Sequence, residues 1–300
     1  IIFGQGAIRC HPFAYKQVVA VENEDLAAFD RAFFGHVGHV IRNACRAFLL
    51  SISRGHFATV PHSTFSRYLK KLAWTSASFA FFADVAMASL GGKLKFREKI
   101  TARYGDILSW MYLIFAVIRR YEAEGQNPKQ APLVHYAVRH GFLEIQKAFD
   151  GIFANLDVPY IGWFFKYPVA WWSRLNSIGA DIGDPICMEV AESLMQPGEL
   201  RESMTQHLFQ GQPALKRLEH AFLLTCEAES VVKEISRAVR KGKIPKGHGE
   251  ALIESALQAG LITPAQAKLV READDACRDA IQVDDFPFTG STGTAPLAEK

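Results

Sequence analysis

The first residues able to do chemistry are Gly4, Gly6, Arg9, Cys10 and His11, in the opening stretch IIFGQGAIRCHP. A G-x-G spacing cradles phosphate when it follows a strand, is completed by a third glycine and opens on a helix. Here the third glycine is absent and an apolar fragment precedes the pair, so it reads as a helix-terminating turn. His36 and His39 in GHVGH lie three apart and can share a helix face, the first requirement of a metal site. The sequence offers no convincing third ligand, and H-E-x-x-H and E-x-x-H pairs are absent, which argues against zinc hydrolases and di-iron bundles. G-x-S-x-G and the Walker loop are absent too.

Asp84 lies in FAFFADVAMASL, an apolar setting that penalises a lone carboxylate. Counting the same distance past Gly91-Gly92 reaches Lys99 and Arg103. The expectation is a structural ion pair of Asp84 with Lys99 and Arg103, with a catalytic acid as the alternative.

The segment VPYIGWFFKYPVAWWSRLNS places Tyr160, Trp163, Phe164, Phe165, Tyr167, Trp171 and Trp172 around Lys166, with Arg174 at its edge. Amphipathic rings beside basic residues suit a bilayer interface, where long cationic side chains reach the headgroups. An aromatic core patch or a dimer contact is the other reading, and the sequence leaves both open. Pro159 and Pro168 are expected to break any long helix here. The cluster RKGKIPKGH (Arg240, Lys241, Lys243, Lys246) reads as a solvated helix end.

These groups need elements to hold them, and the apolar period is helical almost everywhere. Ile100, Tyr104, Ile107, Leu108, Met111, Phe115 and Ile118 form one stripe in steps of three and four. Asn23 is read as a cap, followed by Glu24 and Asp25, with Leu26, Phe29, Phe33, Val37, Val40, Ala44 and Phe48 as a buried face. The pattern predicts long helices over 24–53, 64–90, 93–123, 132–156 and 214–241, and shorter ones near 185–195, 199–209, 248–259 and 264–281. Gly91-Gly92 is expected to close a tight reversal. Thr263, Pro264 and Gln266 spell a capping-box start. The fold class is all-α: an antiparallel bundle of long helices followed by a smaller C-terminal helical hairpin.

At 300 residues, 49% of them hydrophobic and 22% charged, the chain can bury a sizeable core. Its 34 basic and 31 acidic residues are too even for a nucleic-acid footprint. The five scattered cysteines suggest neither a disulfide framework nor a zinc site, and a reducing compartment is expected. The longest uncharged apolar runs, Leu72 to Ala83 and Ile107 to Ile118, fall short of the roughly 18–20 residues of a spanning helix.

IFGQGAIRCHP, FGHVGHV, DVAMASLGGKLKFREKITARYGDILS and the closing VDDF together resemble the C-terminal part of bacterial FadE-type acyl-CoA dehydrogenases of fatty-acid β-oxidation. The resemblance covers nearly the whole chain and is weakest between about 155 and 215. It implies an FAD-dependent oxidoreductase acting on fatty acyl-CoA and passing electrons to an electron-transfer acceptor. It places the general-base Glu, in a V-E-G segment, upstream of Ile1, together with the flavin contacts. No catalytic, cofactor-binding or metal residue is therefore expected within this chain, and the isolated fragment is expected to be inactive. It further implies residues 1–20 as the end of the catalytic domain and 21–156 as the long-helix bundle. Residues 157–246 carry the aromatic-rich segment and further helices, 247–285 the hairpin, and 286–300 a disordered tail. A homodimer in the cytoplasm, with peripheral inner-membrane contact, completes the expectation.

Overall fold

The computed structural model describes residues 11–156, 158, 161–209 and 211–283. The expected tail 286–300 and the Gly4-Gly6 turn lie outside them. The described residues are helical with no β-strand, and they form two compact units, 1–192 and 193–300. The expected grouping 157–246 spans that division.

In the first unit α1 (Ala14–Glu22) and α2 (Leu26–Ile52) precede α3 (Ser66–Leu90), α4 (Glu98–Ala123) and α5 (Ala131–Asn155). The long-helix expectations hold to within a few residues, with larger gaps only at the ends the caps decide. Asn23 closes α1 instead of opening α2; the cap of α2 is Asp25, whose carboxylate accepts from the Ala28 N–H. That short side chain satisfies one of the four unpaired donors of a helix start. Gly91 ends α3 at φ +52°, where a side chain is strained, and a 3-10 turn, Gly91–Phe96, leads to α4.

The core lies between α3, α4 and α5. Ile100, Tyr104, Ile107, Met111, Ile114 and Ile118 from α4 meet Val138, Phe142, Ile145, Phe149 and Ile152 from α5. Leu108 and Phe115, expected in this stripe, face outward, and Ile114 takes the inner position. By length and composition Ser66–Phe96 could cross a membrane. Leu69, Trp74, Ala77, Ala83, Ala86 and Leu90 of that stretch are instead buried in the protein core.

α2 reverses the expected amphipathicity. Ala32, Asn43, Ala47 and Leu50 face inward, while Leu26 is 73% exposed, with Phe33, Val37 and Phe48 also outward. Small inward residues let neighbouring helices approach closely, and the larger apolar residues are left on the outside. The expectation of a buried face is overturned at Leu26, Phe33, Val37 and Phe48, while Phe29, Val40 and Ala44 are half-buried.

Pro159 and Tyr160 lie outside the described residues, and from Ile161 the chain stays helical through Pro168. α6 (Ile161–Phe164) continues through a π turn, Phe165–Val169, into α7 (Ala170–Leu175). The wider turn accommodates a residue without an N–H, so Pro168 does not break the helix. α8 (Asp184–Leu194) crosses the boundary between units.

The second unit contains α9 (Glu199–Thr205), α10 (Pro213–Arg240), α11 (Glu250–Gln258) and α12 (Pro264–Ile281). Its own core joins Val231 and Ile235 to Ile253, Ala256, Ile262, Ala267 and Val270. The capping box at Thr263 and Gln266 forms in full.

Candidate functional site

Two features of the first unit combine chemical groups with a defined geometry. The first is a histidine–carboxylate cluster. His11 Nδ1 accepts from the Ala14 N–H at 2.9 Å and the Phe13 N–H at 3.2 Å, so the ring caps the start of α1. Its Nε2 faces Asp84 Oδ1 at 3.1 Å, and His36 Nε2 lies 4.0 Å from the same oxygen. Asp84 is 5% exposed, and neither its other oxygen, Oδ2, nor His11 Nε2 makes a hydrogen bond, so the two rings and the carboxylate meet as close polar groups rather than as a bonded chain.

The expected pairing of Asp84 with Lys99 and Arg103 is corrected by this geometry. The register is close, since the Tyr104 hydroxyl donates to the Phe82 carbonyl across the α3–α4 hairpin at 2.7 Å. Asp84, however, looks toward α2, and Arg103 lies against Gly151 of α5. Counting residues across a turn fixes height along a helix but not azimuth.

His11, His36 and Asp84 bring ligand atoms within 4.8 Å of one another, supplying the third ligand that His36 and His39 lacked in the sequence. His39 is instead 2.9 Å from the Asn43 amide, although its ring stays 5.3 Å from that of His11. The hydrogen bonds argue against a metal. His11 Nδ1 is an acceptor, and so is His36 Nδ1, which faces the Gln17 amide nitrogen at 3.2 Å; the same nitrogen donates to the Ala32 carbonyl. A neutral imidazole whose Nδ1 accepts carries its proton on Nε2. Both Nε2 atoms facing Asp84 are therefore N–H donors, without the lone pair a metal needs. Burial holds the His11 pKa below its ordinary value; the Asp84 charge opposes this, and His36 and His39 add to it.

The second feature is an apolar cavity of about 470 Å³ between α2, α3, α5 and the aromatic segment. Phe81, Phe82, Phe149 and Phe153 line it, with Phe165 and Trp172 from the segment. Of the six aromatic candidates, Phe165 is buried, its ring 5.7 Å from that of Phe82. Trp163, Phe164, Tyr167, Trp171 and Trp172 form an exposed ridge, Trp163 at 66% and Trp171 at 63%. Trp172 is anchored by its indole N–H, which donates to Ser51 Oγ at 2.8 Å. The spacing 163, 167, 171 follows the helix period, a signal the two prolines hid in the sequence.

Among the described residues, an all-helical scaffold with a buried histidine–carboxylate cluster and an aromatic ridge defines a helical bundle domain. The sequence matches the family described as acyl-CoA dehydrogenase, C-terminal, bacterial type, over residues 8–286, and the chain belongs to that family. No solved structure matches the chain.

Acyl-CoA dehydrogenases are generally FAD-dependent. The described cavity does not fit a flavin, whose ring needs hydrogen-bond partners along one edge. Its polar lining is Ser51, Ser78, Ser173 and Asn176, and both Asn176 amide atoms are already engaged, by Arg54 and by the Ser51 carbonyl.

Proposed function

We propose that this chain is the helical C-terminal part of an FAD-dependent enzyme that introduces the trans-2 double bond into fatty acyl-CoA in β-oxidation, and that its own task is attachment. The family assignment supports the first half. The exposed aromatic ridge supports the second and is the observation that carries it. Dehydrogenation needs a carboxylate to take the α-proton and a flavin to take the hydride. On this reading the base lies ahead of Ile1. Asp84, enclosed with His11, is a structural group.

The ridge inserts shallowly into the cytoplasmic leaflet of the inner membrane. Indole and phenol rings favour headgroup depth, and Lys166, 5.8 Å from the Tyr167 ring, and Arg174 supply positive charge for anionic lipid. Replacing Trp163, Phe164, Trp171 and Trp172 by Ser is expected to release the full-length enzyme from anionic liposomes in co-sedimentation. Unchanged sedimentation of a folded variant sinks the idea.

The outward apolar face of α2 favours a second reading, in which the domain pairs subunits or β-oxidation enzymes. Leu26, Phe34, Ile41, Phe48 and Ile52 are each more than half exposed, a surface that a monomer in water leaves unpaired at a cost. Light scattering after size exclusion separates the two: a pure membrane anchor gives a monomeric chain without detergent, and an interaction module gives a dimer.

A further inference from the structure

Beyond attachment, we propose that the first unit binds a phosphate-bearing amphiphile, its head held by Arg54, Arg67, Lys70 and Lys71 and its alkyl chain lying in the apolar cavity. The four cations come from the α2–α3 loop and the first turns of α3. They line a hollow of about 460 Å³ together with His56, Ser66, Trp74 and Ser177.

Three observations carry the head group. No carboxylate of the described residues pairs with any of the four; the ion pairs lie elsewhere, as at Arg119–Glu122 and Lys147–Glu144. The cations spend their polar contacts on neutral groups. Arg54 Nε donates to Asn176 Oδ1 at 2.9 Å, and Lys70 Nζ donates to the His56 carbonyl at 3.4 Å. Lys71 is also held down to a pKa of about 8, by burial first and then by the charges of Arg67, Arg139 and Arg54.

Converging like charges are costly unless an anion joins them. The start of α3 adds only its helix dipole to the field, because the Ser66, Tyr68 and Leu69 N–H groups already donate to backbone carbonyls. Arg54 itself sits at φ +50°, a conformation that non-glycine residues hold only when their surroundings impose it.

The tail follows from adjacency. Trp74 lines both hollows, and the consecutive residues Asn176 and Ser177 line one each. The apolar cavity lies within the usual size range of ligand pockets, and its walls are almost wholly aromatic and aliphatic. Apolar cavities of this kind take apolar guests rather than water. A polar head and an alkyl tail joined in one molecule satisfy both hollows at once, and neither phosphate nor an alkane alone does.

Dodecyl phosphate is the probe, titrated calorimetrically into the full 300-residue chain. It is expected to bind more tightly than dodecanol or inorganic phosphate, with affinity that falls as salt rises. Arg67→Gln, at an exposed position, and Lys71→Gln are each expected to weaken it about tenfold while leaving dodecanol binding unchanged. Competition by a lysophosphatidate or by a long-chain acyl-coenzyme A identifies the source of the head group, a lipid or a thioester, and displacement by either supports the site. Equal affinity for dodecyl phosphate and dodecanol, or no loss in the folded Arg67→Gln protein, overturns the proposal. Binding to phosphatidylglycerol vesicles without binding of monomeric dodecyl phosphate also overturns it, because the surface rather than the cavity would then be the receptor. Failure of the liposome test on the ridge leaves this inference untouched.

Discussion

The His11 ring joins two distant parts of the first unit: its Nδ1 caps α1, and its Nε2 lies 3.1 Å from Asp84 Oδ1 on α3. Both side chains are almost fully enclosed. Burial holds the His11 pKa below 6.5, and His135 is lowered too, by burial and then by Arg139. The unfolded chain gains protons near 6.5 that these folded sites refuse. Stability is therefore full above that pH and falls as pH drops through it toward the depressed folded values. Urea melts from pH 7.5 to 5 are expected to show the loss, and a His135→Gln variant a shallower slope. A flat profile counts against the neutral, capping form of His11.

Removing the carboxylate tests the same contact. Asp84→Ala takes away the carboxylate that stands 3.1 Å from the buried His11 Nε2, at a cost of about 1–3 kcal/mol. The effect is read as a lower urea midpoint at pH 7.5.

Zinc gives an independent check. With protons on both Nε2 atoms, stoichiometric Zn²⁺ is expected to leave the thermal midpoint unchanged at neutral pH. A stabilisation that His36→Gln abolishes would show that the rings had exchanged tautomers to bind metal.

At the α3–α4 hairpin, Tyr104→Phe removes the hydroxyl that donates to the Phe82 carbonyl and keeps the buried ring. The expected loss is about 1 kcal/mol in chemical denaturation. Tyr104→Ala empties a core position and is expected to cost about 3–5 kcal/mol.

Gly179 marks the tightest approach of the segment after α7 to α5. A Cβ there would stand 2.0 Å from the Phe142 carbonyl oxygen, against rigid helix backbone. Gly179→Ala is expected to destabilise by about 3 kcal/mol or more, and to lower soluble yield.

In the second unit Thr263→Ala removes the side-chain half of the capping box from α12. About 1 kcal/mol is expected, read in hydrogen exchange as faster opening of the first turn of α12.

The sequence by itself determined the helices. Their starts and stops depend on caps, glycines and a period of 3.6, all local, so α5, α10 and α12 fall within a residue or two of expectation. The capping box at Thr263 was legible for the same reason. The family resemblance likewise rests on local words such as FGHVGHV, and the family match agrees with it. What lies opposite a given side chain is not local. Asp84 meets His11 across more than seventy residues, and Arg54, Arg67, Lys70 and Lys71 converge from a loop and a helix with no sequence run to announce them. Nor could apolar content say which side of α2 turns inward, because small residues set close helix approach and large ones are left for whatever covers them. Helical period fixes which residues share a face; only tertiary packing decides where that face points.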